Sequence, residues 1–354
     1  PAYAGAASGG GRSFFQHPGV LGTAALGGVD HQRAFLERHP GQAAGGDVDV
    51  LRGDENKGAQ VDVTRGEALL GQDRHRRQGK GRLGNVVMRV RFDLLGELSW
   101  PEAAKRFREV VVALLPVGAI EQHGPHLPLA TDALINAGIV RATLPRLDSG
   151  LSALFLPPLD YGSSDEHEDF AGTLSAAPEH LLAIWHDVGR ACARAGVRKL
   201  VILNTHGGQK SLVDLTAVRL RQSDDMLVVR CNYFAFGLPD GLFATDELAV
   251  GIHGGEVETS LMLHLHPELV RQEALDDFPS TATTLSQRNR WLGAEKPIGF
   301  GWKSQDLNPA GVVGNAARAD ADRGAACLDH ISGSFATLLA EVAATRLDLI
   351  AGQP

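Results

Sequence analysis

The sequence predicts an α/β protein whose mostly parallel sheet is covered by helices on both faces. Short apolar runs recur along the last two thirds of the chain, and longer amphipathic stretches separate them. The runs are VVVALLPVG at 110–118, ALFLPPL at 153–159, KLVILN at 199–204 and MLVVRCN at 226–232. Strands that alternate with helices form parallel sheets, because each helix packs back onto the sheet between two strands.

The separating stretches have the spacing of helices. In PEHLLAIWHDVGRACARAG the apolar positions recur at helical spacing, from Pro178 near the start to Gly196, which supplies a C-terminal stop. Further helices are expected at about 132–148, 209–223, 256–266 and 321–347. Ligands of such sheets bind beyond the carboxyl ends of the strands, so functional residues are expected just after each strand.

Composition narrows the class of protein. Of the 354 residues, 44% are hydrophobic and 21% are charged, which is typical of a globular chain with a sizeable core. A formal charge of -8 argues against a nucleic-acid partner. The cysteines, Cys192, Cys231 and Cys327, are odd in number and widely spaced, which predicts free thiols in a reducing cytoplasm. No apolar run approaches the ~20 residues of a spanning helix, so we expect neither membrane insertion nor export.

Residues 1–87 differ from the rest of the chain. They hold 18 of the 42 glycines and lack sustained strand or helix periodicity. The first methionine, Met88, directly precedes the first convincing alternation of apolar residues. We therefore expect residues 1–87 to be a disordered or non-native extension and residues 88–354 to form the functional domain. A small accessory domain is the alternative, because FFQHPGVLGTAALGGVDHQRAFL is compatible with a short helix.

Metal-ligand residue types follow three of the predicted strands. They are Glu121, His123, His126 and Asp132 after the first strand, His206 after KLVILN, and His253, Glu256 and Glu258 after the last strand region. Imidazole nitrogens mixed with carboxylate oxygens suit zinc or manganese, and one carboxylate can bridge two cations. Strand ends of a parallel sheet open onto one crevice, so these residues are expected to converge there.

Several of these residues also have a purely structural explanation. Asp132 is suited to cap the helix that follows it, and Glu256 to interact with a helix dipole. His167 lies in YGSSDEHEDFAGTLS, which resembles a mobile lid and also carries Ser163, Ser164 and Glu166. The segment is either a substrate contact or a solvated loop. The convergence of three strand ends favours the metal-site interpretation for the first group.

Four motifs resemble successive motifs of the creatininase (creatinine amidohydrolase) family: PVGAIEQHGPHLPLATD, SSDEHEDFAGTLS, NTHGG and HGGEVETS. The resemblance extends over about residues 95–347. It implies a three-layer α/β/α sandwich, two divalent cations per chain, and a homo-oligomer, often a hexamer. It places the first cation on Glu121, Asp132 and His206, and the second on His123 with Asp132 bridging. His253 corresponds to the histidine that handles the substrate proton.

The chain departs from creatininases at several positions. Gly208 stands where a glutamate completes the second metal site, and Glu256 is the expected replacement and a second candidate catalytic residue. Gly207 stands in place of a tyrosine, and Ala249 and Val250 in place of a tryptophan and an aspartate. Creatinine is therefore not the expected substrate. The residues expected to contact the substrate are Ser163, Ser164, His167 and Gly207.

The expected chemistry is hydrolysis of a cyclic amide, a formamide or a related small molecule by water shared between two cations. Zinc and manganese are the expected metals, with iron as an alternative. Other family activities stay open: hydrolysis of a formamide intermediate of flavin or deazaflavin synthesis, ring opening of a keto-inositol, and a peptidase that trims a redox-cofactor precursor peptide. A non-catalytic metal-binding subunit is a further alternative. A dinucleotide-dependent oxidoreductase is disfavoured, because no G-x-G-x-x-G motif follows a strand.

Overall fold

The computed structural model of the protein describes residues 91–294 and 298–350. All of them belong to one compact unit, Arg82–Pro354. The prediction for residues 1–87 lies outside the described residues.

Five parallel strands form the central sheet. They are β1 (Arg91–Leu94), β2 (Val112–Val117), β3 (Ser152–Phe155), β4 (Lys199–Asn204) and β5 (Leu227–Asn232), in the spatial order β1-β3-β2-β4-β5. Every residue of β2 and β4 is buried. Near-continuous apolar runs are what a strand covered on both faces requires, which explains VALLPV and KLVILN.

Helices connect the strands. The α-helices are α1 (Trp100–Glu109), α2 (Thr131–Thr143), α3 (Pro178–Arg194), α4 (Lys210–Asp224), α5 (Thr245–Val250), α6 (Glu256–Leu265), α7 (Thr281–Arg288), α8 (Ser304–Leu307) and α9 (Ala321–Ala344). Single 3₁₀ turns occupy Leu95–Glu97, Leu144–Arg146, Asp165–His167, Gly207–Gln209, Tyr233–Phe236, Pro267–Leu269, Gln272–Ala274, Ala316–Arg318 and Leu347–Leu349. Pro178 begins α3, and the backbone of Gly196 is left-handed (φ 104°) just beyond its end, as the sequence predicts.

The sheet lies between two helical layers. Leu114 and Leu203 face a core built with α2, α6 and α9, whereas Leu115 and Ile202 face a second core built with α3 and α4. Neighbouring residues of one strand therefore belong to opposite layers, as the alternation of side chains along a strand requires. This arrangement confirms the three-layer α/β/α sandwich.

A smaller structure lies after α6. Strands β6 (Asp277–Phe278) and β7 (Gly314–Asn315) pair antiparallel, and His253 forms an isolated bridge with Val313 next to them. Neither this ribbon nor the short helices α5, α7 and α8 were predicted from the sequence. Across residues 91–294 and 298–350, no helix has both the length and the apolar character needed to cross a membrane.

Candidate metal centre

Three segments converge at the carboxyl edge of the sheet. The loop after β2 carries Glu121 and His123, and His206 lies two residues beyond the end of β4. The third segment begins at His253, in the turn between α5 and α6, and reaches Glu258 in the first turn of α6. Asp132 joins them from the first turn of α2. Sequence reasoning predicted this convergence from the strand ends alone.

Glu121, Asp132 and His206 form the first group. His206 Nδ1 lies 3.2 Å from Glu121 Oε2 and 3.4 Å from Asp132 Oδ2. All three side chains are buried, and their ligand atoms are close enough together to hold one ion. This set is the one expected for the first cation.

His123, Asp132 and Glu258 form the second group. His123 Nε2 lies 3.4 Å from Asp132 Oδ1 and 4.0 Å from Glu258 Oε2. Asp132 thus directs one carboxylate oxygen to each group, which is the geometry of a bridging ligand.

Hydrogen bonds to backbone carbonyls determine which ring nitrogen of His206 and of His123 carries no hydrogen. A carbonyl oxygen only accepts, so His206 Nε2 donates to Ser163 O (2.8 Å) and His123 Nδ1 donates to Glu121 O (3.1 Å). The lone pairs of His206 Nδ1 and His123 Nε2 then point at the carboxylates. Metal-binding histidines are oriented in this way by the hydrogen bond of their second nitrogen.

The buried acceptors of this cluster lack protein partners. Both carboxylate oxygens of Glu121, His123 Nε2 and Asp132 Oδ2 are buried without a hydrogen bond from any described residue. Burying such groups unpaired is costly, so a ligand is expected to satisfy them. A divalent cation fits, because the set consists of hard oxygens and imidazole nitrogens.

The pKa shifts of His123 and Glu121 indicate an excess of negative charge in the cluster. Burial by itself lowers the pKa of His123, but the carboxylates of Asp132, Glu258 and Glu121 outweigh it and raise that pKa to about 9. Burial raises the pKa of Glu121, but the neighbouring imidazoles of His206, His167 and His253 together outweigh this and hold that pKa well below its usual range. The cluster therefore attracts positive charge, whether a proton or a cation.

The expectation that Glu256 completes the second group is wrong. Its side chain forms an ion pair with Arg323 of α9, and its backbone amide donates to Glu247 Oε1 (2.7 Å). Residues two apart on a helix point in different directions, so with Glu256 turned to α9 it is Glu258 that reaches His123. The same geometry turns Glu256 away from the cluster and gives no support to its predicted catalytic role.

Tyr233 and Gly254 hold Glu258 in place. The Gly254 amide donates to Glu258 Oε2 (2.6 Å), and the Tyr233 hydroxyl donates to Glu258 Oε1 (3.4 Å). Tyr233 was not predicted as a site residue. Its position directly after the MLVVRCN strand was the available signal.

His253 lies at the edge of the cluster. Its Nε2 donates to Gln122 O (2.8 Å), so the unprotonated Nδ1 faces Glu121 Oε1 at 3.7 Å. The ring stacks against His167, with the ring centroids 4.2 Å apart. Burial and the nearby His123 hold the pKa of His253 well below its usual range, so the imidazole is neutral near pH 7.

Gln122 connects His167 to the loop that contains Gly311. Its Nε2 donates to Gly311 O (2.5 Å) and to His167 Nδ1 (2.7 Å). His167 is thereby held over Glu121, at 3.7 Å from Nε2 to Oε1. Sequence reasoning overlooked Gln122, although it stands between Glu121 and His123 in the first motif.

The four expected substrate contacts divide into two pairs. His167 and Gly207 line a cavity of about 630 Å³ above the cluster. Ser163 and Ser164 are buried against His206 instead, with Ser164 Oγ 3.4 Å from its Nε2. Their segment is tied down by Ser175, whose hydroxyl accepts from the Ser164 amide, so the described loop is packed rather than solvated.

The cavity combines the cluster with apolar walls. Phe234, Leu248 and Trp302 line it together with Glu121, His206 and Glu258. Ala249 and Val250 line a different cavity, next to β6 and α7. Phe234 and Trp302 therefore supply the aromatic surface above the cluster. Ala249, at the position of the creatininase tryptophan, lines the other cavity.

This fold and this cluster define the class: an α/β protein with a carboxylate and imidazole centre at the carboxyl edge of its sheet. The creatininase family, described as creatinine amidohydrolase, matches residues 96–339, and the chain belongs to this family of hydrolases. The resemblance seen in the four motifs is confirmed.

Two relatives and one solved structure illustrate the match. The mycofactocin precursor peptide peptidase of Mycobacterium ulcerans (strain Agy99) is 34% identical over 217 residues, which are 59% of this chain and 81% of the relative. The creatinine amidohydrolase of Pseudomonas putida is 33% identical over 206 residues, 52% of this chain and 76% of the relative. A structure described as "Creatininase Mn" superposes with a TM-score of 0.58 at 28% identity, covering 71% of this chain and 99% of that chain.

Proposed function

We propose that this protein is a metal-dependent amidohydrolase that cleaves a carbon–nitrogen amide-type bond with water. The observation that carries the proposal is the pair of ligand groups sharing Asp132, whose buried acceptors lack protein partners. Glu121, Asp132 and His206 would hold one cation, and His123, Asp132 and Glu258 the other. Two bound divalent cations of this kind supply an activated water and Lewis acidity for the substrate carbonyl.

Manganese and zinc are the proposed metals. Both accept imidazole and carboxylate ligands. The family neighbour described as "Creatininase Mn" supports manganese.

His253 is the proposed proton-transfer residue. Its Nε2 hydrogen is committed to Gln122 O, and its neutral Nδ1 faces the cluster, where it can accept a proton and deliver it to the leaving nitrogen. The stack on His167 fixes the ring in this orientation.

The cavity favours a substrate with an apolar part. Phe234, Leu248 and Trp302 form the walls, whereas Gly207 presents no side chain where creatininases have a tyrosine. We therefore propose a cyclic amide, a formamide or a related amide other than creatinine. A peptide is the second candidate, because the peptidase relative aligns over 81% of its own length.

Chelation tests the proposal. The purified protein is assayed against creatinine, formanilide and a short peptide before chelation, after chelation, and after reloading with Mn²⁺ or Zn²⁺. We expect hydrolysis of formanilide or the peptide that disappears on chelation and returns on reloading. His253→Ala should lower kcat by about 10²–10⁴-fold with unchanged metal content. Undiminished hydrolysis after complete metal removal would refute metal dependence.

A further inference from the structure

The space above Gly208 is filled by a carboxylate from another loop. A Cβ atom placed on Gly208 would overlap Glu166 Oε1 and lie 2.9 Å from Glu166 Cδ and 2.7 Å from His206 Nε2. By contrast, a Cβ on Gly207 meets no described atom within 4 Å. Glu166 thus occupies the volume that a side chain at position 208 would take, and the glycine leaves that volume open.

Glu166 is held over Gly208 by a well-bonded turn. The 3₁₀ turn Asp165–His167 is closed by the His167 amide donating to Ser164 O (2.9 Å). Ser175 Oγ accepts from the Ser164 amide (2.9 Å) and donates to Asp165 Oδ1 (2.8 Å). These hydrogen bonds fix the backbone from which the Glu166 side chain extends over Gly208.

The carboxylate faces the cavity with acceptor capacity to spare. Glu166 lines the cavity, and its side chain is only 18% exposed. Among the described residues its ion-pair contact is His206 Nε2, at 3.7 Å, but that nitrogen donates its hydrogen to Ser163 O. Its own backbone amide is the donor to this carboxylate among the described residues. A carboxylate has about four acceptor positions, so those that remain at the cavity wall are available to a ligand donor.

Glu166 also lies next to the proposed reaction site. His206 separates it from the metal cluster, with Glu121 Oε2 3.2 Å from Nδ1 on one side and Glu166 Oε1 3.7 Å from Nε2 on the other. Glu166 belongs to none of the three groups of possible metal ligands among the described residues. It is thus close enough to contact a substrate bound at the cluster without holding the metal.

We propose that Glu166 is a specificity-determining residue that accepts a hydrogen bond from an N–H group of the substrate, and that Gly208 is the space this carboxylate requires. The inference rests on the proposed function. The N–H group belongs either to a neutral amide or to an ammonium group, and both can donate to the remaining acceptor positions of this carboxylate.

Binding measurements on the metal-loaded protein test the inference. The probes are benzylammonium, formanilide, and N-methylformanilide, which has no N–H; their rings fit a cavity walled by Phe234 and Trp302. Dissociation constants are measured at low temperature by calorimetry. We expect at least one N–H probe to bind about tenfold or more tightly than N-methylformanilide, since a hydrogen bond to a charged group is worth that much.

The variants separate the role of Glu166 from that of the metal. Glu166→Ala should abolish the preference for N–H probes at unchanged metal content. Glu166→Gln should keep a preference for formanilide and lose one for benzylammonium, which tells the two donors apart. Glu168→Gln, an exposed glutamate two residues away, is the matched control and should behave as the parent.

Three outcomes would overturn the inference: no preference in the parent, a preference that survives in Glu166→Ala, or loss of metal in Glu166→Ala. None of these depends on turnover. The proposed function fails separately, if chelation leaves hydrolysis intact.

Discussion

Glu256 and Glu258 lie two residues apart at the start of α6 and contact different parts of the molecule. Glu256 pairs with Arg323 on α9, whereas Glu258 faces His123 in the cluster. Sequence periodicity showed that the two point in different directions, but it contained no information on which direction faces the cluster. That depends on how α6 packs against α9, which is a tertiary property.

Glu256→Gln should therefore destabilise the protein without removing metal. The substitution leaves the Arg323 guanidinium, which is only 28% exposed, without its anionic partner. Breaking such a pair from one side costs about 3 kcal/mol. Urea denaturation of the metal-loaded parent and variant measures the loss; a stability equal to that of the parent would show that the ion pair is not structural.

Metal binding should release protons. In the metal-free protein the pKa of His123 is about 9, raised from 6.5 by the surrounding carboxylates against the effect of burial. A raised pKa contributes stability that is fully present below pH 6.5 and is lost as the pH rises through 9. A cation must displace this proton, so its apparent affinity should rise between pH 6.5 and 9, by up to about tenfold per pH unit for each proton released.

Calorimetry in buffers of different ionisation enthalpy counts the released protons. His126 is the matched control, because it is not a ligand and burial lowers its pKa to about 4. Its imidazole is therefore neutral in this pH range and contributes no proton to the count. An affinity that does not change between pH 6.5 and 8.5 would contradict the account of His123.

At the scale of elements, the turn between α5 and α6 carries His253 and leads directly into the first turn of α6, which carries Glu258. Gly254 in this turn has φ +65°, and a Cβ there would lie 2.6 Å from Val312 Cγ1. Its amide donates to Glu258 Oε2, and its carbonyl accepts from His126 Nε2 (3.0 Å). The turn therefore positions the second ligand group through its backbone.

Gly254→Ala should both destabilise the protein and weaken the second metal position. The left-handed backbone and the overlap with Val312 together cost about 1–3 kcal/mol. Metal content and thermal unfolding are measured in parallel with Gly207→Ala, whose added methyl meets no described atom within 4 Å. Equal metal content and equal thermal unfolding of the two variants would argue against a positioning role for the turn.

The regular elements were largely predictable, because their residues combine apolar periodicity with clear end signals. KLVILN coincides with β4, and the helix expected at 256–266 is α6, Glu256–Leu265. The helix expected at 132–148 ends earlier, at Thr143, because Pro145 in the following 3₁₀ turn interrupts it. The ribbon of β6 and β7 was missed, since two-residue strands carry no periodicity.

At the scale of the whole molecule, the sheet makes one site from distant residues. β2 and β4 are neighbours in the sheet, so the loops that follow them bring Glu121 and His206 together across 85 positions of sequence. Strand order alone accounts for this part of the site. Gln122 and Tyr233 were not assigned site roles, because their contacts depend on loop packing that no local pattern records.

We also predict a homo-oligomer. The motif resemblance implies one, and several large apolar side chains are exposed, including Trp100 (82%), Trp291 (63%) and Tyr161 (62%). Light scattering coupled to size exclusion measures the mass in solution, with hexamers as the expected assembly. A mass of one chain at all concentrations tested would contradict this prediction.

The metal content per chain tests the central claim most directly. Elemental mass spectrometry of the parent, Asp132→Ala, Glu258→Ala and Glu256→Gln is performed after loading with Mn²⁺ or Zn²⁺. We predict about two cations in the parent and in Glu256→Gln, about one in Glu258→Ala, and fewer than one in Asp132→Ala, because Asp132 bridges both positions. Two cations retained in Asp132→Ala, or a loss in Glu256→Gln but not in Glu258→Ala, would contradict the account.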